Sequence, residues 1–345
     1  MMSGPGPMVV SDPLAAFERQ GMVKLVAPAK VNLFLGIGGL RPDGYHEAAT
    51  VMHALGLHDV LHMDYFPESP GGLQVEVDCY SREGLPALDV ASEDNLVLRA
   101  VRLLAQKLGR GCDETFRIRV EKHIPFEAGL GGGSSDAAAA LVGAARFWSL
   151  DAPAAEPAGA PAAGLEAAPA AFAPEVLAAA AELGSDVSFF LYGGCACLTG
   201  TGEAYSHRLD PMKKAVVLVK PDKGVSTGAA YRLFDEDPLP VPDSVMDRAA
   251  TALRAQDVPL FNNLAPAAER ICPELAAVRA WLGEQPGVEG VLLCGSGSAT
   301  AALCASFGDA CKISGAAQLK GWWARTTALS PLGAAIVPSP KGPLP

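Results

Sequence analysis

No apolar run in this chain approaches the ~18 residues of a membrane span, so no transmembrane helix is expected. The first twenty residues, "MMSGPGPMVVSDPLAAFERQ", lack the basic n-region and long apolar core of a signal peptide, and read as a ragged extension. Positive charge is scarce: 27 Lys and Arg stand against 38 Asp and Glu, a net charge of −11. That balance weighs against a nucleic-acid surface, which needs clustered cations to displace counterions. The eight cysteines have no repeated spacing, which points to reduced, mostly buried thiols in a cytoplasmic protein. "CAC" at Cys195–Cys197 reads as two thiols on one face of a buried strand rather than a metal site, and His53, His58 and His62 share no ligand spacing with a carboxylate motif. From Asp151 to Pro174 there is neither lysine nor arginine. This Ala/Pro/Gly/Glu stretch is a low-complexity insertion, expected as a surface loop.

What is present is globular. Half of the 345 residues are hydrophobic and 19% are charged, and the length suggests about two domains. "MVKLVAPAKVNLFLGI" (Met22–Ile37) predicts two strand segments broken at Pro28, with Lys30, Asn32 and Phe34 on one face. "LRPDGYHE" holds a turn signal, and "VLHMDYF" and "LQVEVDCY" read as strands. The stretch Ser92–Gly109 predicts a helix with Ser92 as N-cap, Glu93 and Asp94 in its first turn and Gly109 at its stop. "TFRIRVEKHIPF" alternates like a strand, "AVVLVKP" reads as a strand opening a second domain, and the Pro-rich tail from Pro331 is expected to be loose.

The stretch between strand and helix carries the chemistry. Glu127–Leu141 reads "EAGLGGGSSDAAAAL". As a dinucleotide fingerprint it fails, because Ser134 stands where the last glycine belongs; as a Walker loop it fails, because no lysine follows the glycines. A structural hinge stays open. The physics favours phosphate: glycines let backbone N–H groups approach an anion, and Ser134, Ser135 and Asp136 open a helix whose first N–H groups are unpaired at the positive end of its dipole.

Three motifs in order, "APAKVNLFL", "IPFEAGLGGGSSDAAAAL" and "VLLCGSGSATAAL", resemble those of the GHMP kinases. "RPDGYHE", "SEDNLVLRA" and "LGSDVSFF" are similar to the subfamily that phosphorylates the 2-hydroxyl of 4-diphosphocytidyl-2-C-methyl-D-erythritol in the non-mevalonate route to isoprenoids. The resemblance spans about residues 23 to 305. It implies an α+β, two-domain GHMP kinase fold: a ribosomal protein S5 domain 2-like N-terminal domain over 23–212, carrying the 151–174 insertion, and a ferredoxin-like C-terminal domain over 213–330. Residues 1–22 and 331–345 flank them, and the active site lies in the interdomain cleft. It also implies ATP as co-substrate with Mg²⁺ bridging its phosphates, a small-molecule acceptor, no nucleic-acid or membrane partner, and a monomer or weak homodimer. The alternative is another GHMP kinase, for homoserine, mevalonate or a sugar. A non-catalytic sensor on this fold and a nicotinamide-dependent oxidoreductase are more distant rivals.

Residue by residue, the resemblance makes Asp186 the base that takes the hydroxyl proton, Lys30 its charged neighbour, and Asn32 a third group on the same side. Glu127, Ala128, Gly129, Leu130, Gly131, Gly132, Gly133, Ser134 and Ser135 would hold the ATP phosphates, with Asn95 and Lys122 near the adenosine. Tyr45 would stack on the cytosine, His46 would hydrogen-bond its edge, and Tyr231 would supply the second stacking face. No protein metal ligand is assigned. Two positions depart from the family pattern: Ser188 stands where proline is common. Glu127 stands where a small residue is usual, and its carboxylate would repel phosphate unless it turns away.

Overall fold

The computed structural model describes residues 21–42, 44–82, 85, 92–150 and 172–337. The N-terminal extension up to residue 20, most of the Ala/Pro-rich insertion, the last eight residues and Asp43 of the turn lie outside that range.

The chain begins with two long antiparallel strands, β1 (Met22–Leu40) and β2 (His46–Pro67), followed by β3 (Leu73–Ser81). Pro28 does not break β1. The lost donor is absorbed by a shift of register between Pro28 and Lys30, and the strand continues. Helix α1 (Leu96–Lys107) starts later than the sequence predicts: Ser92–Asp94 form a separate 3₁₀ turn, and Asn95 is the cap, its side chain accepting from Val97 N. Then come β4 (Glu114–Lys122), α2 (Gly132–Phe147), α3 (Pro174–Leu183), α4 (Ser185–Tyr192), β5 (Cys195–Thr199) and β6 (Ala204–Leu209).

The second unit opens with β7 (Ala215–Lys220), α5 (Thr227–Glu236), α6 (Asp243–Thr251), β8 (Phe261–Asn262), α7 (Ala265–Ile271) and α8 (Glu274–Gly283). It closes with β9 (Val288–Leu293), β10 (Thr300–Cys304), α9 (Phe307–Leu319), β11 (Trp323–Ala328) and β12 (Ala335–Ile336). Among the described residues, the first sheet runs β12-β1-β2-β4-β3 with β5, β6 and β8 attached, and the second runs β11-β7-β10-β9. A division at 212/213 falls between β6 and β7, but it does not part the two sheets cleanly, because β8 and β12 cross back to pair with β1. The start of the Pro-rich tail is therefore fixed: Ala335 pairs with Val26, and Val337 N donates to Lys24 O.

Strand β1 is buried on both faces from Ala27 to Ile37, because α2 and its neighbours cover one side and the second unit covers the other. Helix α2 is buried from Ser135 to Ala145, and its alanines let it lie close to the sheet. At Gly143 an added Cβ would come within 2.8 Å of Met63 Sδ. Cys195 and Cys197 are buried in β5, all eight cysteines are free, and burial pushes the Cys197 thiol up to about 11. Among the described residues no helix is long and apolar enough to cross a membrane.

Candidate active site

Lys30 sits in the middle of β1, in a strand otherwise apolar and buried. Burying an ammonium requires partners. Its Nζ lies 2.7 Å from Asn32 Oδ1 and 3.3 Å from Asp186 Oδ2. Asn32 in turn donates to Thr50 Oγ1 at 2.9 Å, and Thr50 donates to Phe34 O at 2.8 Å, so the polar row is satisfied down to the backbone. Asp186 stands in the first turn of α4, where a carboxylate suits the helix dipole, and remains about one-third exposed.

The glycine loop arches over this pair. Lys30 N donates to Leu130 O, and a Cβ on Gly131 would meet Phe190 Cζ at 2.7 Å and Lys30 Cγ at 3.2 Å. Gly131 caps α2 at φ 74°, and the first intrahelical bond runs from Ser135 N to Gly131 O. The N–H groups of Gly132, Gly133 and Ser134 therefore have no partner among the described residues. This is the arrangement that attracts phosphate. The two serines differ: Ser134 is half-buried, whereas Ser135 is fully buried and its hydroxyl has no partner among the described residues.

The third motif, from the second unit, closes the site as a tight turn between β9 and β10. Ser298 N donates to Glu127 O at 3.1 Å and Ala299 N to Ala128 O at 3.0 Å. A Cβ on Gly295 would stand 3.4 Å from Lys30 Nζ. Glu127 is thereby accounted for: its backbone takes φ 49°, and its carboxylate turns to Gly224 of the second unit. That charge also acts on Lys220, whose pKa is lowered by burial and raised in part by Asp222 and Glu127. Gly129 allows the contact. At φ 71°, an added Cβ would lie 1.8 Å from Cys294 O, and no rotamer can relieve a backbone clash. Gly129→Ala should therefore cost at least about 1–3 kcal/mol of stability and raise the KM for ATP, read by denaturant melts and steady-state kinetics; an unchanged melt would show that loop and turn separate freely.

The residues expected near the adenosine have partners of their own. Asn95 caps α1 and its amide reaches Cys79 Sγ at 3.6 Å. Lys122, at the end of β4, is buried between the carboxylates of Asp59 and Asp136 and forms hydrogen-bonded ion pairs with both. Burial opposes its charge, but Asp136 and Asp59 outweigh that and hold its pKa above the ordinary lysine value. Its Nζ lies 3.4 Å from where a Cβ on Gly132 would stand, so it supports the loop from behind.

The "GYH" residues divide. Tyr45 is 66% exposed, while His46 is buried. Helix α5 covers His46: Tyr231 lies against its ring at 5.4 Å between centroids, tilted by 38°, and Phe234 meets it edge-on at 6.0 Å. One turn beyond Tyr231, Asp235 places Oδ1 2.6 Å from His46 Nε2. Burial, aided by the Asp186 carboxylate, pushes the Tyr231 phenol up to about 12, which keeps it a neutral ring. Sequence reading missed Asp59 and Asp235, because their partners are 63 and 189 residues away along the chain.

Residues 95–194 match the family model described as GHMP kinases N terminal domain, and residues 248–320 match GHMP kinases C terminal. A "4-diphosphocytidyl-2-C-methyl-D-erythritol kinase" of Desulfitobacterium hafniense (strain Y51) is 36% identical over 285 residues, covering 81% of this chain and 86% of that protein. The chain belongs to the GHMP kinase family. A relative of the same name from Nocardia farcinica (strain IFM 10152) is 39% identical over 305 residues, 86% of this chain and 88% of its own length. Among solved structures, a 4-(cytidine 5'-diphospho)-2C-methyl-D-erythritol kinase superposes on this GHMP kinase with a TM-score of 0.65 at 31% identity, covering 89% of this chain and 99% of that one. A homoserine kinase from Cytophaga hutchinsonii, at TM-score 0.62 and 16% identity over 93% of this chain and 98% of that one, shares the fold alone.

Proposed function

We infer that this GHMP kinase transfers the γ-phosphoryl group of ATP to the 2-hydroxyl of 4-diphosphocytidyl-2-C-methyl-D-erythritol, giving the 2-phosphate and ADP. The observation that carries the chemistry is the Lys30–Asp186 pair, 3.3 Å apart beneath a helix start with unpaired amides. Phosphoryl transfer needs positioning and charge stabilisation more than covalent help. In this reading Asp186 Oδ2 accepts the proton of the attacking hydroxyl, while Lys30 Nζ holds that oxygen and stabilises the charge that develops on it. Asn32 fixes the lysine through its 2.7 Å contact. The N–H groups of Gly132, Gly133 and Ser134 receive the phosphates of ATP. Tyr45 and Tyr231 take the faces of the cytosine and His46 its edge.

Mg²⁺ enters with the nucleotide as part of the co-substrate. An ion of this kind keeps several of its waters and binds mainly through phosphate oxygens. The acceptor lies in the cleft between the two units, and the enzyme works in the cytoplasm as a monomer or weak homodimer.

The choice of acceptor rests on the relatives and on "GYH". With ATP and Mg²⁺, ADP release should be saturable with diphosphocytidyl-methylerythritol and at least a hundredfold weaker in kcat/KM with homoserine or mevalonate, a margin of about 2.7 kcal/mol in transition-state binding. Turnover of homoserine without turnover of the cytidine compound would overturn the assignment.

A further inference from the structure

We propose that Asp235 is a positioning residue that commits His46 to reading a cytosine rather than a uracil. The proposal rests on the reading that His46 meets the base of a pyrimidine nucleoside diphosphate substrate.

The two groups come from opposite units. His46 opens β2 of the first sheet, and Asp235 lies in the last turn of α5. His46 is 8% exposed at its side chain and is held by Tyr231 and Phe234, so its ring has little freedom. Asp235 is 46% exposed and meets the ring at Nε2, at 2.6 Å. Among the described residues Nδ1 makes no hydrogen bond, and it is not sealed from solvent, so a ligand can reach it.

The chemistry follows from the inventory of donors and acceptors. An ionised carboxylate can only accept, so Nε2 must carry the ring proton. In the neutral ring Nδ1 is then a bare acceptor. Cytosine offers an amino donor at N4, whereas uracil offers a carbonyl acceptor at the corresponding position. The first makes a hydrogen bond with Nδ1. The second sets two lone pairs against each other, and a polar group that loses its partner on binding is what makes such a site selective. Asp235 touches no substrate in this scheme: it acts through the ring it holds. Tyr231, on the same helix face one turn earlier, puts the stacking surface and the tautomer lock on one rigid element.

The test compares the cytidine substrate with its uridine counterpart at about pH 8, where ordinary imidazole is neutral, using wild-type enzyme, Asp235→Asn and Asp235→Ala. The wild-type enzyme should prefer cytidine by at least about a hundredfold in kcat/KM. An amide at position 235 can donate to Nε2 and so permit the proton on Nδ1. In Asp235→Asn the preference should therefore fall at least tenfold. The loss should lie in KM for the nucleotide-linked substrate, with KM for ATP and the melting temperature near wild type. Wild-type discrimination in both variants would overturn the proposal. Should the variants not fold, ¹⁵N spectra of histidine-labelled wild-type enzyme decide: a proton on Nε2 supports it, and a proton on Nδ1 overturns it. If the wild-type enzyme does not use the cytidine compound at all, the functional assignment falls, and the ¹⁵N spectra still report on the lock.

Discussion

Asp186→Asn should lower kcat by about a thousandfold, within the 10²–10⁴ that a positioned general base contributes, while the Kd for ATP changes less than about threefold. The substitution keeps the shape and the contact 3.3 Å from Lys30 Nζ, but an amide cannot take the hydroxyl proton. A thousandfold is about 4 kcal/mol at the transition state. On the proposed reading ATP lies on the far side of the reacting oxygen, held by the backbone at the start of α2, so its affinity should be insensitive. Isothermal titration with a non-hydrolysable ATP analogue beside steady-state kinetics separates the two. Wild-type turnover would remove Asp186 from the mechanism, and a parallel loss of ATP binding would assign it to nucleotide positioning.

The largest effect on stability is expected at Lys122. Lys122→Met should cost about 3–5 kcal/mol, the usual penalty for leaving a buried charge without its partner. Here two carboxylates are stranded: Asp59 and Asp136 are both buried. Asp59 also accepts from Ile124 N at 2.8 Å and from His123 N, so the strand leading into the glycine loop is anchored through the same carboxylate. Burial raises the pKa of Asp136 against the pull of Lys122, and without the lysine it should bind a proton more firmly still. Denaturant unfolding at neutral pH measures the loss. Adding Asp136→Asn to Lys122→Met should recover part of it, and an unchanged midpoint in the single variant would mean the cluster is solvated in solution.

These two residues also show what a sequence can and cannot disclose. The setting of Lys30 and of the glycine loop was legible because each sits in a short motif, a polar residue in an apolar strand and glycines opening a helix, whereas Asp186 was singled out by the family resemblance alone. Lys122 was legible only as a strand-end lysine, since its burial depends on Asp59 and Asp136, supplied by β2 and α2. Pro28 misled because a register shift between two long strands absorbs what would break a short one. Ser92 was a sound cap by residue type, but Asn95 lies where the chain turns into α1, and only packing decides between them. For Glu127 the sequence disclosed only that the carboxylate should turn away from phosphate; that it turns to Gly224, in the other unit, depends on long-range packing.

The strap between Glu127–Ala128 and Ser298–Ala299 has a consequence in time. A growing polypeptide leaves the ribosome N-terminus first, and its domains tend to fold as they emerge. The glycine stretch emerges early, but the amides that tie down its carbonyls belong to residues 171 positions later. β12, which borders β1, comes later still. A nascent chain that stops before Ser298 thus carries the glycine loop with its outer edge unmade. If the loop holds ATP as proposed, its grip is complete only once Ser298 and Ala299 have been made and have folded back onto it.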